Sequence, residues 1–308
     1  MTSTDAVRMP RCSAWAREVA VDPIGTAGTY RGIVAIEWPL PWPRDVADVP
    51  ELADAVRILA SLGVRVQLVR PPTEPHDGAR ILSFRRDEET AFRRFARREE
   101  TVESAALADV AVALGRGQLH HALDDETVDV LVCTHGARDV CCGSDGTRLM
   151  TSLSARTDAL PSAVRLWSTS HLGGHRFAPT ALVMPSGTCW GFLDTDRLTA
   201  IVGRAGSADD VLPFYRGCAG VGPRRAQALE RVAFREVGWS WLEHQRRGRE
   251  LDGGVVEINA TSPDGDALVW SGFVIEGRSL PVPACRAPLD TSAKSESELV
   301  VAAYRRER

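Results

Sequence analysis

Apolar residues recur along the chain with two different spacings, and the alternation between them gives the elements. "RGIVAIEW" (31–38) is a short apolar run bounded by polar residues, which predicts a strand. "VPELADAVRILASLG" (49–63) places its apolar residues at helical spacing and ends at Gly63, a suitable helix stop. "VRVQLVRP" (64–71) alternates as a strand does, and "ARILSFRR" (79–86) is a third strand. The order is βαββ, which suits an α/β domain. A helix is predicted at 101–114. A strand at 127–133, a helix at 145–160, a strand at 163–170 and a hairpin at 181–193 then repeat the same order. No repeat is visible residue by residue, yet the shared order predicts a duplicated fold. A long helix starts near Gly220, a hairpin spans 254–276, and the polar tail after Ser292 reads as frayed. The charged run "RRDEETAFRRFARREE" reads as a solvated helix or loop face.

This pattern divides the chain into an N-terminal α/β domain at 1–120, a middle domain at 121–204 and a C-terminal helix-and-hairpin extension at 205–308. With 308 residues, 44% hydrophobic and 25% charged, a sizeable core can form. The net charge of −4 argues against nucleic acid or a membrane surface as partner. No apolar run approaches a membrane span, and the N-terminus lacks the apolar stretch of a signal peptide. Seven unevenly spread cysteines do not resemble a secreted disulfide framework. A reducing cytoplasm is the expected compartment, and there clustered cysteines point to metal or redox chemistry.

Two such clusters stand at predicted strand exits. "CTHGARDVCCG" (133–143) follows one strand, and "HLGGHRF" (171–177) follows the other. Sites in open α/β sheets gather outside the carboxyl ends of strands. Cys133 and Cys142 are nine residues apart, and His171 and His175 are four apart around Gly173-Gly174. The residues admit three chemistries. Tetrahedral zinc accepts these ligand types, although zinc fingers use closer cysteine pairs. A Cys141–Cys142 redox pair would be strained and would leave the histidines unexplained. A [2Fe–2S] centre with two thiolates and two imidazoles accommodates the long spacing, because its ligands divide between two irons. Cys12, Cys189, Cys218 and Cys285 lack matched partners in the sequence and read as packing residues. His120 and His121 read as contacts to a helix C-terminus. "GTAGTY" (25–30) precedes its strand instead of following it, so it is no dinucleotide fingerprint.

The motifs Cys-x-His-Gly-x-Arg-Asp-x-x-Cys-Gly (133–143), His-x-Gly-Gly-His-x-Phe-Ala (171–178) and Pro-x-Gly-x-x-x-Gly (185–191) resemble the sucrase/ferredoxin-like family over roughly Arg11 to Leu193. "CSAWAREVAVDPIGTAG" and "IEWPLPWPRD" resemble its actinobacterial branch. The resemblance implies a thioredoxin-like ferredoxin domain with a related N-terminal domain, a [2Fe–2S] cluster, and Cys133, Cys142, His171 and His175 as its ligands. Cys141 adjoins the position of Cys142 and could take its place. His135, Arg138 and Asp139 are candidates for outer contacts to the ligands. The implied function is one-electron transfer, coupled to a proton if an imidazole nitrogen faces solvent, between redox partners that the sequence does not name. The alternative is a structural zinc-binding or interaction module. No carboxylate pair is placed for glycoside hydrolysis.

Overall fold

The computed structural model describes residues 11–71, 78–86, 91–118, 126–156, 158, 160–285 and 294–307. The first half contains α1 (Cys12–Glu18), β1 (Gly32–Glu37), α2 (Ala53–Ser61), β2 (Val64–Arg70), β3 (Ala79–Arg85), β4 (Ala96–Val102) and α3 (Leu107–Arg116). The middle contains β5 (Val128–Cys133), α4 (Thr147–Ser154), β6 (Val164–Thr169), β7 (Ala181–Met184), β8 (Thr188–Trp190) and α5 (Thr195–Gly203). Then come β9 (Tyr215–Cys218), α6 (Arg224–Val237), β10 (Gln245–Glu250), β11 (Val255–Thr261), β12 (Ala267–Pro281) and β13 (Ser295–Glu307).

Nine strands form one mixed sheet in the order β4-β3-β1-β2-β6-β5-β7-β8-β9. β1 and β2 are parallel, while β3 runs antiparallel to β1 and β4 antiparallel to β3. The same statement holds with β5, β6, β7 and β8 in their places. In each half a helix crosses over between the parallel strands and another follows the last strand. The duplicated order expected from the sequence is therefore present, and each half is thioredoxin-like. The halves meet where β2 pairs antiparallel with β6, over only Val69↔Thr169 and Arg70↔Ser168. Side chains cross between the two halves. Arg97 on β4 reaches Asp129 on β5 at 2.8 Å, and Arg80 on β3 stacks over Trp167 on β6. The sheet is thus folded about the β2–β6 junction.

Alternation along β1 decides which core each residue joins. Ile33 and Ala35 enter the large core between the halves. Val34 and Ile36 pack with Leu59 of α2 and Leu114 of α3 on the other side. The remaining strands form an antiparallel sheet, β10-β11-β12-β13, and α6 packs against both this sheet and β9. Residues 205–308 thereby extend the large sheet by β9 and add a small one.

Three sequence readings are corrected here. The tail beyond Ser292 is not frayed: β13 pairs with β12 along most of its length, buries Leu299 and joins Glu298 to Arg278. The end of the charged run is a strand, β4, and the helix expected at 101–114 begins only at Leu107. The strand was hidden because its inward residue, Arg97, is charged. Arg97 is buried against Asp129 and Glu99, and Asp129 also takes Arg165 and the Trp167 indole N–H. His120 and His121 lie outside the described residues. Among the described residues no helix is long and apolar enough to cross a membrane.

Asp129 is fully buried, so Asp129→Ala should take one of two carboxylates from Arg97 and Arg165 and lower stability by roughly 3–5 kcal/mol. An unchanged urea midpoint would refute the role given to this network. Burial pushes the Glu99 carboxyl up, but Arg165 and Arg97 outweigh it, and the net shift is downward. Its stabilisation is therefore complete above the unfolded carboxyl value of about 4.3 and is lost as pH falls below it. Glu99→Gln should flatten that acid limb in a pH series of unfolding curves.

Candidate metal centre

Cys133 ends β5, and His171 stands two residues beyond β6. The parallel register pairs Cys133 with Thr169, so both side chains leave the sheet at one edge. The chain after Cys133 turns back and enters α4 through a π-helical turn, Cys142–Gly146. That return brings Cys142 under the strand end. Its last residue must be small, because a Cβ on Gly146 would lie 1.9 Å from the Cys133 carbonyl oxygen. Cys133, Cys142 and His171 then place one sulfur or nitrogen each within 4.8 Å of the others. His171 presents Nδ1, 4.0 Å from the Cys142 sulfur.

The backbone of His171 is clamped from both sides. Its N–H donates to Nδ1 of His135 at 3.1 Å, and its carbonyl accepts from Arg65. Because Nδ1 of His135 accepts, Nε2 carries the proton and donates to the Pro43 carbonyl at 2.9 Å. Burial pushes the His135 pKa down, consistent with a neutral ring. The Cys142 thiol donates to Cys133. With His171 it holds the Cys133 thiol well below its ordinary value, although burial opposes this. Cys142 itself is shifted upward as the donor.

His175 stands apart from this group. Its ring lies 6.1 Å from that of His171, centroid to centroid. The loop between them needs both glycines: Gly173 and Gly174 have φ of +80° and +69°, and Arg216 donates to the Gly173 carbonyl from β9. Nδ1 of His175 is 3.2 Å from a carboxylate oxygen of Asp139 and 3.3 Å from the Cys12 sulfur. Burial raises the Asp139 pKa, but the His175 contact and backbone N–H groups outweigh it and hold the carboxyl low.

Cys141 faces away from Cys142. Its sulfur is 3.0 Å from Cys285 and 3.6 Å from Cys12, and Asp139 completes this second group. Cys12 and Cys285, read from the sequence as packing residues, are thus brought to a functional-type cluster. The vicinal cysteines carried the one available signal. Adjacent residues on a helical turn diverge by about 100°, so the two thiols cannot serve one site. Cys189 and Cys218 do lie in the core, and burial pushes their thiols up to about 11 and about 12. Arg138 and Arg44, together with His171, line two adjoining cavities of about 420 and about 550 Å³.

A family model described as "Sucrase/ferredoxin-like" matches residues 23–217, more than half of the chain. No curated protein and no solved structure matches.

Gly146→Ala should destabilise the protein by more than about 1 kcal/mol, because its Cβ meets a fixed backbone oxygen. Gly203→Ala, in α5 with open space around the added carbon, should instead be neutral or stabilising by up to about 1 kcal/mol. Equal shifts of the two urea midpoints would contradict the close approach at Cys133.

Proposed function

Since the chain belongs to the sucrase/ferredoxin-like family, we propose that it transfers single electrons through a [2Fe–2S] cluster held by Cys133, Cys142, His171 and His175. The observation that carries the reading is the convergence of Cys133, Cys142 and His171 at the shared end of β5 and β6. The donor set fits the group. Three donors meet at the strand end, and the His175 ring lies 6.1 Å from that of His171, which supports the two imidazoles as the pair that serves one iron. Such a cluster supplies a one-electron couple, and two neutral imidazoles in place of two thiolates raise its potential by making the site less negative.

The chain's own residues have separable tasks. Cys133 and Cys142 are fully buried, which keeps water from the thiolates. His135 fixes the backbone of His171 through the hydrogen bond to its N–H. Asp139 occupies Nδ1 of His175 and leaves Nε2 as the nitrogen free to ligate, the outer-contact arrangement common at histidine metal sites. Both histidines are partly exposed, so their ring edges offer the route by which an electron leaves. Arg44 and Arg138 beside them favour a partner with an acidic surface. The partners proposed are redox proteins, with neither nucleic acid nor membrane involved, in the cytoplasm.

Protein purified without oxygen should contain about two irons and two acid-labile sulfides per chain. Cys133→Ser or Cys142→Ser should abolish both, and Cys141→Ser should retain both. Absence of sulfide, with zinc bound by Cys133 and Cys142, would establish the non-redox alternative instead.

A further inference from the structure

The second group of donors shares no ligating atom with the proposed cluster, and it touches that set through His175, whose Nδ1 lies against Asp139 and Cys12. Cys12 comes from α1, Asp139 and Cys141 from the loop after β5, and Cys285 from just beyond β12. Cys12 and Cys285 are 273 residues apart in sequence, yet their sulfurs are 3.4 Å apart. Cys141 is 3.6 Å from Cys12 and 3.0 Å from Cys285, and an Asp139 oxygen lies 3.7 Å from the Cys12 sulfur. All four donor atoms lie within 4.8 Å of one another. Cys12, Cys141 and Asp139 are buried.

We propose that Cys12, Asp139, Cys141 and Cys285 form a second metal centre, a closed structural zinc site. In a tetrahedral zinc thiolate site with bonds of about 2.3 Å, the sulfurs stand about 3.8 Å apart. The observed separations of 3.6, 3.4 and 3.0 Å each lie less than about 1 Å short of that. A disulfide could join two of these thiols, but it would leave the third thiol and a buried carboxylate facing it. One dication satisfies all four donors, and its binding releases the three thiol protons to solvent. Three sulfurs exclude calcium and magnesium, and the carboxylate disfavours copper(I), whereas zinc accepts both ligand types. Four protein donors leave no open position, so the centre is structural and not catalytic.

The placement gives the ion a purpose. It ties the N-terminal helix and the end of β12 to the loop that carries Cys142, one residue from Cys141. Two outer contacts hold the set. The Cys141 N–H donates to Asp139 at 2.8 Å, and Nδ1 of His175 lies against the same carboxylate.

The test is metal analysis of the whole protein, purified without chelator under reducing conditions. About one zinc per chain is expected in addition to any iron. Cys12→Ser and Cys285→Ser should each lower zinc at least tenfold, leave iron and sulfide unchanged, and lower the midpoint of thermal unfolding. Should those variants fail to fold, differential alkylation of the wild type decides. Cys12, Cys141 and Cys285 should resist the reagent until a chelator withdraws zinc from the native protein. Free, rapidly alkylated thiols at these three positions would overturn the proposal, as would a Cys141–Cys285 disulfide or zinc retained in both variants. Zinc missing while iron and sulfide are present defeats this site alone. Iron missing while zinc is present defeats only the electron-transfer reading.

Discussion

Two residue pairs between β2 and β6 join the two halves of this protein in one sheet, and the placement of the Cys133, Cys142 and His171 group follows from them. The pairing involves the carboxyl ends of both strands. It therefore brings the exits of the two parallel strand pairs to the same edge and folds one half's face onto the other's. Backbone hydrogen bonds of this number would not hold two domains together unaided. The large apolar core between the faces does, along with the buried group around Asp129, which is satisfied by two arginines and an indole. The interior polar network thus has a defined part: it fixes how far the halves close on each other.

At the site, the chemistry is set by direction more than by composition. Two adjacent cysteines diverge, one to the strand end and one toward the termini. Two histidines separated by a glycine pair also diverge, one toward Cys142 and one toward Asp139. The loop that ends β5 consequently serves two groups of donors with opposite faces of a single turn. A shift of that turn would disturb both.

The strand and helix order was readable because apolar residues dominate β1, β2, β5 and β6 and because prolines and glycines mark the turns. The duplication was readable in order alone, since equivalent positions share burial and not identity. Cys133, Cys142 and His171 were readable because strand exits deliver them locally. β4 escaped because its inward residue is an arginine whose partner lies on another strand. β13 escaped because it is a polar strand whose partner begins only at Ala267. The gathering of Cys12 and Cys285 around Cys141 is a product of tertiary closure, and no local pattern encodes a contact between the first helix and the end of β12.

The two halves also divide their labour. The loop after β5 carries the sulfur donors, and the equivalent loop after β1, with Trp42, Pro43 and Arg44, carries none. Yet the Pro43 carbonyl accepts a hydrogen bond from His135, Trp42 meets the same ring edge-on, and Arg44 borders the cavities at His171. One copy of the fold carries the clustered cysteines and histidines while its counterpart contributes to their surroundings. Variation in the first half can thus retune polarity and access at the centre without ever touching a donor atom, a freedom that a single-copy scaffold lacks.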